Sequence, residues 1–139
     1  MNTSNNTLNN TLGINFSTTF FSCRCKACRK TPFPSHILPV IFREDDVLIN
    51  SVTLDKRTAE KLTNKLVEWL ETKGLFEVVY PCKCRTCKSE VQFLHKLRIT
   101  STEDSVVIDS VELEEEDVER LVDLLIKWLE GIIQLGEPI

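Results

Sequence analysis

Glycine and histidine are scarce in this chain, at four and two of 139 residues, and each scarcity removes a class of function. Four scattered glycines cannot build the Gly-rich loop that cradles a phosphate, so neither a P-loop nor a dinucleotide fingerprint is present. Ser51 and Ser110 have no neighbouring histidine to activate them as nucleophiles. No apolar run approaches the roughly 20 residues of a membrane-spanning helix. The first residues lack a basic stretch followed by an apolar core and a small-residue cleavage site, the mark of a secretory signal. The expectation is a chain with no membrane partner that stays inside the cell, cytoplasmic or, in a eukaryote, nuclear.

What the chain has instead is a cysteine pattern that accounts for every Cys and every His. Cys23, Cys25, Cys28 and His36 form CxCxxC followed eight residues later by a histidine, and Cys82, Cys84, Cys87 and His95 repeat it 59 positions on. Three thiolates and an imidazole are the donor set of a closed tetrahedral zinc site, so two Zn2+ ions are expected, one per cluster. Three disulfides are the plain alternative, but adjacent CxC pairs suit bridging poorly, and disulfides leave the two in-register histidines unexplained. Iron-sulfur or copper(I) centres also accept thiolates. A redox role for the CxxC pairs is weaker, since no thioredoxin-like βαβ pattern surrounds them. A histidine on a strand can also be a half-buried residue bonded to backbone; its recurrence in register favours ligation.

The duplication extends past the ligands. Residues 23–74 laid on 82–133 without a gap give 18 identities in 52 positions, among them Leu38/Leu97, Val47/Val106, Leu54/Leu113, Leu66/Leu125 and Trp69-Leu70-Glu71 against Trp128-Leu129-Glu130. One chain holding two copies displays which positions both have kept. The expected organisation is an Asn/Thr-rich disordered leader over 1–14, a first zinc repeat over 15–74 and a second over 75–139. Each copy of about 60 residues buries too little surface to be robust alone, so metal and mutual packing are the expected staples.

Within a repeat, Phe16 to Phe21 and Leu75 to Tyr80 are β-prone and precede the cysteines. After them His36, Leu38, Val40 and Phe42, and His95, Leu97 and Ile99, alternate with residues of the other face, which places each histidine at the start of a second strand on its buried side. Acidic turns lead to a third β segment, Val47 to Leu54 and Val106 to Leu113. A helix follows, with apolar positions at 3 and 4 spacing from Ala59 to Leu70 and from Val118 to Ile132. Asp55 or Thr53 can cap the first helix, the acidic run Glu114 to Asp117 suits the start of the second, and Gly74 and Gly131 end them. The fold class is therefore α+β, a tandem duplication of a βββα unit with a three-stranded antiparallel sheet, each with a Cys3His site at its first hairpin. Burial needs suggest a pseudo-twofold pair, as a monomer or homodimer, with sheets packing or continuing across the centre. The apolar tail Ile132, Ile133, Leu135 and Ile139 is expected to pack on the sheet, with self-association as the alternative.

Charge is segregated although the chain as a whole carries 17 basic and 21 acidic residues. Arg24, Lys26, Arg29 and Lys30 surround the first cluster, Lys83, Arg85 and Lys88 the second, and Lys96 and Arg98 continue along the outward face of a strand. Such cations can meet nucleic-acid phosphates. They can equally offset the net negative charge of a Zn(Cys)3His centre. The acid-rich second helix reads as a solvated face or as a site for a basic protein partner. The recurring Glu44-Asp45 and Glu103-Asp104 sit in hairpin turns, where turn chemistry accounts for them. A four-ligand site has no position for substrate, so neither an enzyme nor a small-molecule substrate is expected. In general class the repeats resemble small zinc-knuckle and zinc-ribbon modules, which implies binding of nucleic acid or protein. The expectation is an accessory or regulatory interaction module that binds nucleic acid through basic zinc tips, or else a protein-binding adaptor or inhibitor, viral in one version, with purely structural zinc.

Overall fold

The computed structural model describes residues 16–32, 36–89 and 95–136; the expected leader 1–14 and Ile139 lie outside them. The described residues form an α+β protein in which one order of elements occurs twice. The first copy comprises β1 (Ser17–Ser22), α1 (Lys26–Arg29), β2 (Ile37–Phe42), β3 (Asp46–Ile49), β4 (Val52–Asp55) and α2 (Lys56–Thr72). The second comprises β5 (Glu77–Pro81), α3 (Arg85–Ser89), β6 (Lys96–Ser101), β7 (Ser105–Ile108), β8 (Val111–Glu114) and α4 (Glu115–Leu129). Each copy builds a four-stranded antiparallel meander, β1-β2-β3-β4 and β5-β6-β7-β8.

The expected three-stranded sheet is thus corrected to four strands. The segment Val47 to Leu54 folds back on itself, pairing Ile49 with Val52 and Val47 with Leu54. Asn50 and Ser51 make the two-residue turn with φ of 51° and 69°, the left-handed geometry that suits the twist of a tight hairpin. In the second copy Asp109, at φ 52°, does the same job. Asn and Asp tolerate this region better than other side-chain-bearing residues, so no glycine marks the turn.

The inner faces follow the alternation read from sequence. Leu38, Val40 and Phe42 of β2 are buried together with Val47, Ile49, Val52 and Leu54, as are Leu97, Ile99, Val106, Ile108, Val111 and Leu113 in the second copy. Over them lie α2, burying Ala59, Leu62, Leu66 and Trp69, and α4, burying Val118, Leu121, Leu125 and Trp128. The two long helices also pack on each other. Complete burial of each Leu or Ile contributes about 1.5–3 kcal/mol, so this shared layer is the main apolar source of stability. Asp55 caps α2 by accepting the Thr58 N–H at 2.9 Å, as expected. Asp117 caps α4 by accepting the Glu114 N–H at 3.1 Å. At its other end α2 stops on Lys73 in the left-handed region, one residue before Gly74, while Gly131 after α4 takes φ +75°. Ile133 and Leu135 pack against the core, and Ile132 stays 60% exposed.

Several contacts between the repeats come in matched pairs. The Trp69 indole N–H donates to the Thr102 carbonyl at 2.9 Å, and Trp128, 59 positions later, donates to Arg43, 59 positions before Thr102, at 2.6 Å. Arg24 N–H donates to the Glu112 carbonyl at 2.8 Å, and its counterpart Lys83 donates to Thr53, the counterpart of Glu112, at 2.7 Å. Asn50 Nδ2–H donates to the carboxylate of its own counterpart Asp109 at 2.6 Å. A contact between a residue and its equivalent marks the centre of the exchange. The outer edges of β4 and β8, which a lone meander leaves open, are thereby covered by the residues that follow β1 and β5 of the opposite copy.

Candidate metal centres and the charges around them

Each cysteine cluster lies on the connection of the first hairpin of its repeat. Cys23 N–H donates to the His36 carbonyl at 3.1 Å and Cys82 N–H to that of His95 at 3.0 Å, one rung beyond the β1–β2 and β5–β6 ladders. The first cysteine and the histidine are therefore cross-strand neighbours, which explains why a histidine distant in sequence joins the cluster. The other two cysteines belong to the short turn between them. Cys25 stands extended immediately before α1, and α1 brings Cys28 back inward. In the second copy Cys84 Sγ accepts the Cys87 N–H at 3.4 Å.

The ligand atoms of Cys23, Cys25, Cys28 and His36, and those of Cys82, Cys84, Cys87 and His95, lie within 4.8 Å of one another in each group. Tetrahedral zinc with bonds of about 2.3 Å to sulfur and 2.0–2.1 Å to nitrogen separates S from N by roughly 3.6 Å. Cys28 Sγ to His36 Nδ1 is 3.5 Å and Cys87 Sγ to His95 Nδ1 is 3.4 Å. The donor set and its spacing fit a metal ion in both places and are compatible with zinc. None of the six cysteines is in a disulfide. In both sites the first and third cysteines are buried, the second is half-buried and the histidine is exposed. The histidines thus depart from the expectation of a strand start on the buried face: each precedes its strand by one residue and lies at the open tip.

Backbone N–H groups converge on the sulfurs. Cys23 Sγ accepts from Glu112 at 3.2 Å and Cys25 at 3.4 Å; Cys82 Sγ accepts from Thr53 at 3.2 Å and Cys84 at 3.5 Å. Burial nevertheless pushes the Cys23 thiol up, the Glu112 and Cys25 N–H bonds only partly opposing it. For Cys82 burial also acts upward, but the N–H groups of Thr53 and Cys84, with His95, outweigh it and hold the thiol low. The Cys84 thiol is held low first by the Cys87 N–H. Hydrogen bonds to the charged form are the general reason a thiolate is favoured in such a knuckle.

The cations predicted to ring the clusters divide into two groups. Arg24 grips Asp117 through two parallel bonds, 3.0 and 3.1 Å, and Asp117 is 7% exposed. Arg29 is ion-paired with Glu114, and Arg98 with Glu77 at 3.3 Å. Lys83 and Lys88 lie near Asp55 and add to the pull that lowers its pKa. Lys26, Lys30, Arg85 and Lys96 stand exposed. Glu114 and Asp117, at the start of α4, are therefore internal partners of the first cysteine tip, while Glu115, Glu116, Glu119 and Asp123 stand exposed on the solvated face expected from sequence. Sequence reasoning missed Thr53, Glu112, Glu114 and Asp117 as neighbours of the sites. A signal existed in the opposite charges of the tip and the helix start, but nothing in sequence spacing joined them.

Among the described residues no helix is long and apolar enough to cross a membrane. Comparison of the chain with models of protein families, with curated proteins and with solved structures finds no match.

Proposed function

We propose that the chain is a non-enzymatic, protein-binding module, a pseudo-twofold pair of ββββα repeats in which each Cys3His group holds one structural Zn2+. Four protein donors per site fill a tetrahedral shell, which supports a structural role over a catalytic one. The observation that carries protein binding is the outer face of the first sheet. Phe20 and Ile37, 59% and 49% exposed, share that face with half-buried Pro39, Ile41 and Leu48. The equivalent positions of the second sheet are Val79, Lys96, Arg98, Thr100 and Val107, so only one of two equivalent faces is apolar. A contiguous apolar patch has interaction meaning that scattered exposed side chains lack.

A second reading, nucleic-acid binding, rests on Lys26 and Arg85, equivalent in the two repeats and both exposed at the tips. Against it, Arg24, Arg29 and Arg98 have carboxylate partners within the chain. The test compares three full-length proteins, wild type, Phe20→Ser/Ile37→Lys and Lys26→Glu/Arg85→Glu. A host protein held by the wild type and the tip variant but lost by the face variant is the expected result. Salt-dependent retention of DNA or RNA that only the tip variant loses would transfer the function to nucleic acid.

A further inference from the structure

We infer that each metal centre is completed by the opposite repeat, so that the two centres are built and lost as a linked pair. The inference rests on the metal reading above and concerns what holds the ions. Among the N–H groups that reach the first cysteine of each cluster, the shorter bond comes from the other repeat. Glu112 reaches Cys23 Sγ at 3.2 Å against 3.4 Å for Cys25, and Thr53 reaches Cys82 Sγ at 3.2 Å against 3.5 Å for Cys84.

In each case the same foreign residue also accepts, through its carbonyl, the N–H of the next tip residue, Arg24 or Lys83. The tip is thus pinned at two consecutive residues to the outer edge of β8 or β4. The first tip is tied further by the paired bonds from Arg24 to Asp117, itself the cap of α4.

A Zn(Cys)3His centre carries a net negative charge, and N–H donors to sulfur stabilise it and fix the sulfur's direction. Loss of such outer partners typically weakens metal affinity 10- to 100-fold. Because the donors of one centre lie in the repeat that the other centre staples, an ion at one site holds in place the donor strand of the other. Linkage makes the effect reciprocal.

The test uses the full chain loaded with 113Cd2+, whose NMR signals resolve the two centres once each is assigned with Cys-to-Ser variants. Glu112→Pro deletes the N–H facing Cys23 while keeping that edge of β8, which does not pair with β7, as the only one altered. The expected result is crossed: Glu112→Pro and Asp117→Asn, both in the second repeat, displace the signal of the first centre and speed its metal release to a chelator about tenfold. Thr53→Pro does the same to the second centre. In Cys84→Ser/Cys87→Ser the first centre should bind at least tenfold more weakly than in the wild type.

Effects confined to the centre of the mutated repeat, or a first centre of wild-type affinity when the second is destroyed, would overturn the inference. Should a proline variant or the double serine variant unfold, Asp117→Asn decides, since it leaves all eight ligands and every backbone N–H intact: an unmoved first-centre signal and release rate overturn the inference. A wild type that binds fewer than two ions fails the metal reading itself, which is a different outcome from two ions held independently.

Discussion

The two repeats keep the same cluster residues and many of the same inward residues, yet they differ on the outward face of the sheet and at the start of the long helix. Inward, Leu38, Ile49, Leu54 and Leu66 recur unchanged as Leu97, Ile108, Leu113 and Leu125, all fully buried. Outward, Ile37 and Pro39 stand where the second copy has Lys96 and Arg98. At the helix start, Lys56-Arg57-Thr58 of the first copy corresponds to Glu115-Glu116-Asp117 of the second. Close packing restricts the first set, because a buried position with a counterpart across the centre has little room to change. The second set is open to solvent or to the other repeat. Its divergence gives the molecule one apolar and one charged face, and one helix start that binds the tip arginines.

Removing the metal tests the shared part of this comparison and has the largest expected effect. A structural zinc supplies on the order of 10–16 kcal/mol of apparent binding energy that is also folding energy. Chelation should therefore abolish the cooperative unfolding transition followed by circular dichroism, and readdition of zinc should restore it. A transition that survives chelation unchanged would separate the fold from the metal.

Leu66→Ala and Leu125→Ala should each cost about 2–5 kcal/mol in denaturant unfolding. The two values should be alike, since each side chain is fully buried at an equivalent place under its helix. A large inequality would mean that one repeat carries the stability of both.

Asp117→Ala has no counterpart in the first repeat, where Thr58 occupies the position. Arg24 is 44% exposed and rehydrates when its partner is removed, so the expected loss is about 1–2 kcal/mol, including the lost helix cap. The salt sensitivity of stability should fall in the same variant.

Asp55 provides a pH-dependent comparison. Its carboxyl is held below the ordinary range first by the Thr58 hydroxyl, then by the Thr58 N–H, with Lys83 and Lys88 contributing. A depressed folded-state value makes its contribution complete above about pH 4, the unfolded carboxylate value, and removes it as pH falls through the folded value. Asp55→Ala should cost about 1 kcal/mol at neutral pH, and the gap from wild type should narrow in acid.

Phe20→Ser and Val79→Ser should each alter stability by no more than about 0.5 kcal/mol. Only the first should abolish partner binding.

The reading from sequence reached the α+β class, the ligand clusters, the inward-facing strand positions and the caps at Asp55 and Gly131, because each is local and repeated. The fourth strand was missed since Asn50-Ser51 and Asp109-Ser110 contain no glycine. The slip in phase between Ile49 and Val52, three apart where alternation requires two or four, was the available sign. The histidines follow the alternation of β2 and β6 but sit one residue outside the strands, where the pattern no longer means burial. The pairing of Arg24 with Asp117 and of Cys23 with Glu112 joins residues 93 and 89 positions apart. No periodicity encodes such contacts; they depend on how one repeat is laid on the other.

Native mass spectrometry of the full chain, purified without chelator, tests the central claim most directly. The account predicts one dominant species carrying two zinc ions and six reduced cysteines, with the ions leaving together on acidification. A metal-free, disulfide-bonded species, or a folded chain holding a single ion, would contradict it.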